Sequence, residues 1–465
     1  MIEEFDAIVI GGGPGGYVAG IRLGQRGLKT LLIEKDELGG ECLNRGCIPS
    51  KTLISRVNIY WSARNARWLS GGDLKVNWGE IQAIRERVIK RLRLGVKYLL
   101  EGNGVKVVEG EAKLRSDKEV EVRLRDGSSK MFRARNIIIA TGGEHISLSE
   151  ISFDGNRVVT SSQALELREI PRGLLIVGGG VSGVEIGTLY AKLGTEVTIV
   201  ELMDQILPGV ERDLVDVVAK RMKKLGVKIY TGSRVVESRV LEDGVVAVVE
   251  GRDGGSLEVR ADYAMVAVGK KPASMDLGLS DVGVELDERG FIIVNDHMET
   301  SVPGVYAVGD VTGPPFLAHR ASYHGMIAAE NIAGVNVSAR NVVIPSAIFS
   351  DPEIAYAGLT EAEARERGIE PKIGKFPFTA SGRAVAEEAT DGFVKVIIDS
   401  STGRVIGCQI VGQHATELIS EAVLAIQNGM SIEQFAKCVR PHPTFSEALM
   451  EAAEAALWKP IHMIA

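Results

Sequence analysis

A pattern of strand, glycine-rich loop, helix, strand and terminal acid occurs twice in this chain. The first copy passes through the loop Gly11–Gly16 and ends at Glu34, and the second passes through the loop Gly178–Gly183 and ends at Glu201. In each copy the acid stands 23 positions after the first loop glycine. Because both order and spacing recur, the sequence contains an internal repeat that predicts two α/β units with parallel strands.

Both loops have the chemistry of a dinucleotide site. Glycines let the backbone approach a pyrophosphate, the following helix N-terminus binds the phosphates, and the acid accepts hydrogen bonds from ribose hydroxyls. The alternative for either loop is a tight turn without a ligand. No arginine follows Glu201 closely to meet a 2′-phosphate, so NAD is favoured over NADP. The predicted contacts are Gly11, Gly13, Gly16, Glu34, Gly178, Gly180, Gly183 and Glu201.

The two units close in the same way, with buried-strand runs that end at Gly142 and Gly269, where a ligand can lie near the strand ends. This order places the second unit inside the first. A later apolar run ends at Asp310, which either faces a ligand or merely caps the next turn. A helix is predicted from Ala318 to Gly334, and its N-terminus can face the same ligand.

From about Asn341 the composition changes to turns and alternating strands, with a predicted hairpin at 393–411 and helices after it. Because no glycine-rich phosphate loop occurs there, we predict an α+β appendage with a different task. The predicted domains are 1–145 (first dinucleotide domain, first part), 146–270 (second dinucleotide domain), 271–340 (first domain, second part) and 341–465 (interface domain).

Two cysteines separated by four residues, Cys42 and Cys47, stand just before Pro49. Proline fits the first turn of a helix, so Cys47 is expected just outside a helix N-terminus, where oriented N–H groups favour a thiolate. The alternative is a pair of buried, inert thiols. The glycine-rich approach and the following Lys51 favour a redox-active disulfide.

Near the C-terminus, His442 lies between two prolines and is therefore rigidly presented. A nearby carboxylate such as Glu447 can fix its tautomer, as a general base requires. The alternative is structural, because Thr444 to Glu447 also has the order of a capping box. The residues alone leave both interpretations open.

The net charge of −7 argues against nucleic acid or an anionic membrane as the main partner, since both need a basic face. No apolar run is long enough to span a bilayer, and the N-terminus lacks the basic region of a signal peptide. Four cysteines are too few for a disulfide scaffold. We therefore expect a cytoplasmic protein with small-molecule or protein partners and no metal site.

Over essentially its whole length the sequence resembles the flavoprotein pyridine-nucleotide disulfide oxidoreductases. Within that family, the sequence of the Cys42–Lys51 segment resembles that of the lipoamide enzymes. Glutathione reductases have a different sequence in this segment and prefer NADPH. Mercuric reductases carry a cysteine pair near the C-terminus, which residues 458–465 lack. The motifs that carry the resemblance are Gly11–Gly16, Cys42–Lys51, Ala140–Gly142, Gly178–Gly183 with Glu185, Gly309–Asp310, Ala318–His319 and His442–Glu447.

The resemblance implies FAD at the first loop and NAD at the second, with FAD between the disulfide and the nicotinamide. Cys47 would face the flavin, and Lys51 paired with Glu185 would tune charge near the reactive ring nitrogen. Asp310 would bind the ribityl–phosphate region, and the helix starting at Ala318 would stabilise the reduced ring. Further cofactor contacts are implied at Ala112, Thr141, Gly142, Val235 and Gly269.

The resemblance also implies a substrate and partners. His442, oriented by Glu447, would take a proton from dihydrolipoamide, and the resulting thiolate would attack Cys42. The substrate would be free or carried on a lipoyl protein, possible assemblies being a 2-oxoacid dehydrogenase or glycine cleavage complex. The C-terminal domain would pair two chains into a homodimer, in which His442 of one chain reaches Cys42 of the other.

Three departures from the family pattern bear on substrate preference. Glu41 stands where threonine is usual, Ser182 replaces an apolar residue, and Arg440-Pro441 replaces the usual pair before the base. A carboxylate about 4 Å from a thiolate would cost up to about 4 kcal/mol at an effective dielectric of 20, so the side chain of Glu41 is expected to point away. The rival functions are reduction of another disulfide or a metal ion, and a redox-responsive FAD/NAD-binding protein with little turnover.

Overall fold

The computed structural model describes residues 2–70 and 74–464. The chain forms two compact units: Met1–Ile170 with Val266–Arg340, and Pro171–Met265 with Asn341–Ala465. Within the described residues no helix is long and apolar enough to cross a membrane.

The elements follow one another along the chain with short connections. Up to residue 170 they are β1 (Glu3–Ile10), α1 (Pro14–Gln25), β2 (Thr30–Glu34), α2 (Gly40–Asn44), α3 (Cys47–Asn65), α4 (Trp78–Gly102), β3 (Lys106–Leu114), β4 (Glu119–Leu124), β5 (Ser129–Ile139), β6 (Gly143–His145), β7 (Val158–Thr160) and α5 (Ser161–Ala164). The next segment contains β8 (Gly173–Val177), α6 (Val181–Lys192), β9 (Glu196–Val200), α7 (Arg212–Lys224), β10 (Lys228–Tyr230), β11 (Ser233–Leu241), β12 (Gly244–Gly251), β13 (Ser256–Ala261) and β14 (Tyr263–Val266).

The remaining elements begin where the chain returns to the first unit. They are β15 (Lys270–Pro272), α8 (Leu279–Val282), β16 (Val305–Ala307), a 3-10 turn (Gly309–Thr312) and α9 (Ala318–Ile332). The C-terminal segment contains β17 (Ser346–Ile348), β18 (Ile354–Gly358), α10 (Glu361–Glu366), β19 (Pro371–Pro377), a 3-10 turn (Phe378–Ala380), α11 (Gly382–Ala386), β20 (Phe393–Asp399), β21 (Val405–Val411), α12 (Ala415–Gln427), α13 (Ile432–Lys437) and α14 (Glu447–Ala456).

The sheet of the first unit is built on β1, which pairs in parallel with β2 and with β5, while β2 pairs with β3 and β5 with β16. Strand β4 joins β3 and β5 through antiparallel pairs. Alternate side chains of β1 enter two different cores: Ile8 and Ile10 pack in one, Ala7 and Val9 in the other. A strand covered on both faces needs the continuous apolar run that the sequence showed.

The second unit also contains parallel strands, and it includes the C-terminal α+β segment, Asn341–Ala465. Strands β8, β9 and β10 pair in parallel, and β11, β12 and β13 form an antiparallel meander. The C-terminal sheet has the order β17-β18-β21-β20-β19. Its inward side chains share a core with α12, α13 and α14. The predicted class, two Rossmann-like α/β parts followed by an α+β part, is confirmed.

Candidate active site

The two glycine-rich loops have nearly the same backbone. Gly11 has φ 103° and Gly178 has φ 106°, in the left-handed region that glycine favours. A Cβ at Gly16 would stand 1.8 Å from the carbonyl oxygen of Gly11, and one at Gly183 would stand 2.1 Å from that of Gly178. These positions therefore need glycine for the turn itself, independently of any ligand.

The helix N-termini behind the loops are open to an anion. Gly13 caps α1 and Gly180 caps α6, both with extended backbone and without a side-chain hydrogen bond to the first turn. A Cβ at Gly180 would meet no atom of the described residues within 4 Å. The first-turn N–H groups of both helices thus point into space that a pyrophosphate can fill.

The acid that ends each repeat forms hydrogen bonds with the glycine-rich loop of the same repeat. Glu34 accepts a hydrogen bond of 2.6 Å from the N–H of Gly12, and Glu201 accepts one of 2.6 Å from the N–H of Gly179. The other oxygen of each carboxylate accepts from the N–H two residues later, at 2.7 and 2.8 Å. Burial raises the pKa of Glu34, while these backbone N–H groups oppose it. The contact of each acid with a ribose, which the sequence suggested, stays a prediction. The hydrogen bonds of both acids to their own glycine-rich loops were not predicted.

One buried hydroxyl fits a cofactor beside the first loop. The side-chain oxygen of Thr141 is buried and has no hydrogen-bond partner among the described residues. It follows Ala140, whose carbonyl oxygen would lie 2.3 Å from a Cβ at Gly11. An unpaired buried hydroxyl costs free energy unless a ligand satisfies it, so this position fits the predicted FAD contact. Ala112 is buried on β3 of the same sheet, and Gly142 has φ 77°.

Asp310 lies in the 3-10 turn that follows β16. The turn is capped by Val308 without a side-chain bond, so Asp310 does not act as its cap. Burial raises the pKa of Asp310, and Lys270, whose Nζ lies 3.5 Å from Oδ2, opposes this. A Cβ at Gly15 would stand 3.0 Å from Val308 and 3.2 Å from the carbonyl oxygen of Ala321, which places the Asp310 segment and α9 against the first loop.

Helix α9 starts at Ala318, as predicted, and its N-cap Leu317 forms no side-chain hydrogen bond with the first turn. The N-terminal N–H groups of α9 are therefore a second donor set in the first unit, besides those of α1. His324, six residues further along α9, was not foreseen: it is buried, its Nδ1 has no partner among the described residues, and burial lowers its pKa to about 4.

Cys42 in α2 and Cys47 at the start of α3 form a disulfide with a Cα–Cα distance of 4.6 Å, which confirms the predicted pair. The expected position of Cys47 was wrong, because helix α3 starts two residues earlier than predicted. Gly46 is the N-cap, so Cys47 is the first residue of α3 and not a residue before it. The reason is that Pro49 sits within the first turn, where its missing N–H costs nothing.

Two glycines before the disulfide hold it against the first nucleotide loop. Gly39 and Gly40 have φ values of 97° and 59°, and the N–H of Gly39 donates to the carbonyl oxygen of Gly12 at 2.8 Å. A Cβ at Gly40 would lie 2.6 Å from the Cα of Gly13. The backbone that leads to Cys42 therefore touches the loop predicted to bind FAD.

Asn44 fixes the shape of α2 and was missed as a separate site residue. Its Nδ2 donates to the carbonyl oxygens of Leu38 at 3.0 Å and Gly40 at 2.9 Å, and its Oδ1 accepts from Nε of Arg93 at 3.0 Å. The side chain is buried, so these bonds hold the cysteine-bearing turn in place. The available signal was its place between the two cysteines.

Glu41 contacts three side chains, those of His145, Ser162 and Lys270. Its Oε1 lies 3.0 Å from Nε2 of His145 and accepts from the hydroxyl of Ser162 at 3.3 Å, while its Oε2 pairs with Nζ of Lys270. Burial opposes ionisation, but His145 and Lys270 outweigh it and lower the pKa of Glu41 to about 2. The expectation that this side chain points away from Cys42 stays a prediction, and the ammonium group of Lys270 offsets its negative charge.

In the second unit, Glu185 lies buried in α6, and its Oε1 accepts a 2.9 Å hydrogen bond from the N–H of Phe349. Its predicted pairing with Lys51 stays a prediction. Val235 is buried on β11 beside a bulge. In the first unit, Gly269 has φ 124°, just before β15.

His442 and Glu447 form an imidazole–carboxylate pair, with Nδ1 2.8 Å from Oε1. The other oxygen of Glu447 accepts the N–H of Thr444 at 2.8 Å. Burial opposes ionisation of Glu447, but Thr444 and His442 lower its pKa. The capping-box alternative is only half formed: Glu447 accepts the N–H of Thr444, but the Thr444 hydroxyl donates to the carbonyl oxygen of Pro441, and helix α14 begins only at Glu447, after Ser446.

Arg440 anchors the segment that presents the imidazole. The guanidinium is buried, donates to the carbonyl oxygens of Phe435 at 2.8 Å and Cys438 at 2.6 Å, and pairs with Glu421. It thereby satisfies carbonyls at the end of α13. The departure Arg440-Pro441 thus has a structural role two residues before His442.

A second imidazole–carboxylate pair was missed. Nδ1 of His462 lies 2.7 Å from Oε1 of Glu451, and Oε2 of Glu451 accepts the N–H groups of Ile461 and His462, each at 3.2 Å. Glu451 is 2% exposed and stands one helical turn after Glu447 on α14. The four-residue spacing of the two acids was the available signal, since it places both on one helix face.

Two dinucleotide loops and a disulfide packed against the first of them define a disulfide oxidoreductase that works with nucleotide cofactors. A family model described as pyridine nucleotide-disulphide oxidoreductase matches residues 5–325, and the model of that family's dimerisation domain matches residues 344–453. The chain belongs to the pyridine nucleotide-disulphide oxidoreductase family. Its cofactors are FAD and NAD.

Similar proteins carry a more specific name. The chain is 42% identical to the dihydrolipoyl dehydrogenase of Geobacillus stearothermophilus, covering 99% of this chain and 98% of that one. It is 44% identical to the dihydrolipoyl dehydrogenase of Thermus scotoductus, covering 100% of both. Among solved structures, LpdA from Mycobacterium tuberculosis is similar with a TM-score of 0.90 and 28% identity, covering 97% of this chain and 99% of that chain.

Proposed function

We propose that this protein oxidises dihydrolipoamide to lipoamide and transfers the electrons to NAD⁺. The observation that carries the proposal is the Cys42–Cys47 disulfide held against the first dinucleotide loop, in a chain that aligns over nearly its full length with dihydrolipoyl dehydrogenases. FAD would be held by the first loop with Thr141, Asp310 and the start of α9, and NAD by the second loop.

The first chemical step is thiol–disulfide exchange. His442 accepts the proton of a substrate thiol at Nε2, because Nδ1 is held by Glu447. The thiolate attacks the sulfur of Cys42, which forms a mixed disulfide and releases Cys47 as a thiolate. Since Cys47 begins α3, the helix N-terminus stabilises that charge.

The second exchange completes substrate oxidation. The remaining substrate thiol, once deprotonated, attacks the substrate sulfur of the mixed disulfide, so that lipoamide leaves and Cys42 is released. Two electrons have then moved from the substrate dithiol to the cysteine pair. When bound, FAD and NAD supply the path by which those electrons reach the nicotinamide and the disulfide is restored.

The active site is proposed to be shared between subunits. The dimerisation-domain match supports a dimer. The side chain of His442 is 80% exposed within one chain, as suits a base that serves Cys42 of the partner subunit. We also propose that the substrate is carried on a lipoyl protein of a 2-oxoacid dehydrogenase or glycine cleavage complex in the cytoplasm.

Steady-state assays test this function directly. NAD⁺ reduction by the FAD-loaded protein should be fast with dihydrolipoamide and slow with dithiols that lack the lipoyl ring, and NADP⁺ should be a poor acceptor. Cys42→Ser should abolish the reaction. Comparable efficiency with unrelated dithiols, or reduction of a metal ion at a higher rate, would favour the rival reductase function.

A further inference from the structure

The carboxylate of Glu41, next in sequence to Cys42, belongs to a partly buried cluster of charges in the first unit. Lys270 is the bridge: its Nζ pairs with Glu41 and lies 3.5 Å from Oδ2 of Asp310. Burial opposes the charge of Lys270, but Glu41 and Asp310 outweigh it and raise its pKa. Arg320 also acts on Asp310, so two carboxylates are set against two cations.

The nitrogen partners of Glu41, His145 and Lys270, come from one structural element. His145 ends β6 and Lys270 begins β15, and these two residues are directly paired in the antiparallel ribbon that the two strands form. The ribbon continues through the N–H of Ile146, which donates to the carbonyl oxygen of Gly269 at 3.2 Å. Glu41 therefore ties the cysteine-bearing helix α2 to both strands of this ribbon.

We propose that Glu41 and Lys270 are positioning residues that set the reduction equilibrium of the Cys42–Cys47 disulfide. Lys270 offsets the carboxylate beside Cys42, and the shared contact fixes α2. The inference rests on the proposed function in one respect: the Cys42–Cys47 disulfide is the group that is reduced and reoxidised in each catalytic cycle.

The sign of each effect follows from the charge that reduction creates. Reduction breaks the S–S bond, takes up two electrons and, when one thiol stays ionised, one proton, so it adds one negative charge. Consecutive residues have Cα atoms about 3.8 Å apart, which keeps the Glu41 carboxylate within about 10 Å of the Cys42 sulfur. At that range a unit charge in protein changes an equilibrium constant about tenfold.

Removing either charge should therefore shift the equilibrium in opposite directions. Glu41→Gln leaves Lys270 less compensated and should raise the constant for reduction about tenfold. Lys270→Gln leaves two carboxylates and should lower it about tenfold. Tenfold corresponds to about 30 mV for a two-electron couple. The double variant should return close to the native constant, because both charges are gone.

The measurement is a titration of the FAD-loaded, full-length protein against mixtures of reduced and oxidised dithiothreitol. Thiols are trapped with iodoacetamide, and the peptide that contains Cys42 and Cys47 is quantified by mass spectrometry, because exposed Cys438 also reacts. Lys271→Gln is the matched control. Lys271 is the next residue in the chain. It is exposed, and its Nζ lies 3.4 Å from the carboxylate of Glu144 at the surface, so removing its charge should leave the reduction equilibrium constant unchanged.

Shifts of the two single variants in the same direction, or no shift in either, would overturn the proposal, since the two substitutions remove charges of opposite sign. If Lys270→Gln does not fold, Glu41→Asp decides: it keeps the charge and should retain the native constant where Glu41→Gln does not. Equal shifts in both Glu41 variants would exclude an electrostatic role. Because dithiothreitol is the reductant, this outcome is independent of whether dihydrolipoamide is the substrate.

Discussion

A carboxylate beside a nucleophilic sulfur is unfavourable unless cations neutralise it. Glu41 meets this condition through Lys270, and His145 of the same ribbon also contacts the carboxylate. Glu447 shows the converse arrangement, in which a carboxylate supports a base: one oxygen holds Nδ1 of His442 and the other holds the backbone of Thr444. In both residues each carboxylate oxygen has its own partner, and the two contacts together fix the orientation of the carboxylate.

The depressed pKa of Glu41 predicts a pH-dependent contribution to stability. Its folded value of about 2 lies below the ordinary value of 4.5, so the stabilisation is complete above pH 4.5 and is lost as the pH falls toward 2. A shift of this size corresponds to about 3 kcal/mol, of which about 2 kcal/mol should disappear between pH 6 and pH 3. Urea unfolding of the native protein and Glu41→Gln should therefore converge across this range. A stability difference that stays constant with pH would contradict the assignment.

The two cysteines should give different optical signatures, because only Cys47 is predicted to face the flavin. Two-electron reduction of the native protein should produce a long-wavelength band from the thiolate beside the flavin. Cys47→Ser should abolish the band, whereas Cys42→Ser should show it without reduction, since Cys47 is then free. Absorption spectra of the FAD-loaded variants between pH 6 and 9 test this, and a band that neither substitution affects would contradict the assigned roles.

Among the elements, the helix N-termini behind the two loops are the most similar features of the fold. Both begin after an extended glycine, and both are tied to the acid that ends the next strand. The repeat therefore conserves a loop held by its own protein contacts, which keeps the N–H groups pointed at the phosphates before a ligand arrives.

Alanine substitutions at two glycines of the second loop should have different effects, one mainly on stability and the other mainly on NAD binding. Gly183→Ala forces a Cβ to 2.1 Å from a backbone carbonyl, which should cost about 1–3 kcal/mol of stability and distort the loop. Gly180→Ala meets no protein atom, so stability should be unchanged while the methyl group enters the phosphate site and weakens NAD binding about tenfold or more.

Urea midpoints and NADH titrations measure both quantities. In each variant, reduction of the disulfide by dihydrolipoamide in a single turnover should persist, because the first loop is untouched. Unchanged NADH affinity in Gly180→Ala would place the nucleotide elsewhere.

The local elements could be predicted because their signals are short-range. The apolar runs at β1, β5 and β8 and the loop glycines each depend on residues close in sequence, and the structure has them. The contacts of Glu41 could not be predicted, because Lys270 lies 229 positions away. The start of α3 was misplaced by two residues, since proline is tolerated throughout the first helical turn.

At the scale of the whole molecule, the second unit leaves large apolar side chains exposed in the same part of the sequence as His442. Val439 is 97% exposed, Trp458 and Ile461 are each 73% exposed, and Leu424 is 64% exposed. Apolar surface of this kind is characteristic of a subunit interface. Together with the dimerisation-domain match, it favours a two-fold dimer whose interface includes the segment that presents the base.

A two-fold dimer with shared sites predicts complementation between two inactive proteins. Cys42→Ser and His442→Gln chains, unfolded together and refolded with FAD, should pair at random, so that about half the dimers are mixed. Each mixed dimer then contains one doubly altered site and one intact site, and the mixture should recover about a quarter of native activity. If each site were built within one chain, no intact site could form. Native mass spectrometry measures the mixed fraction, and an inactive sample that contains mixed dimers would show that His442 and Cys42 of the same chain act together.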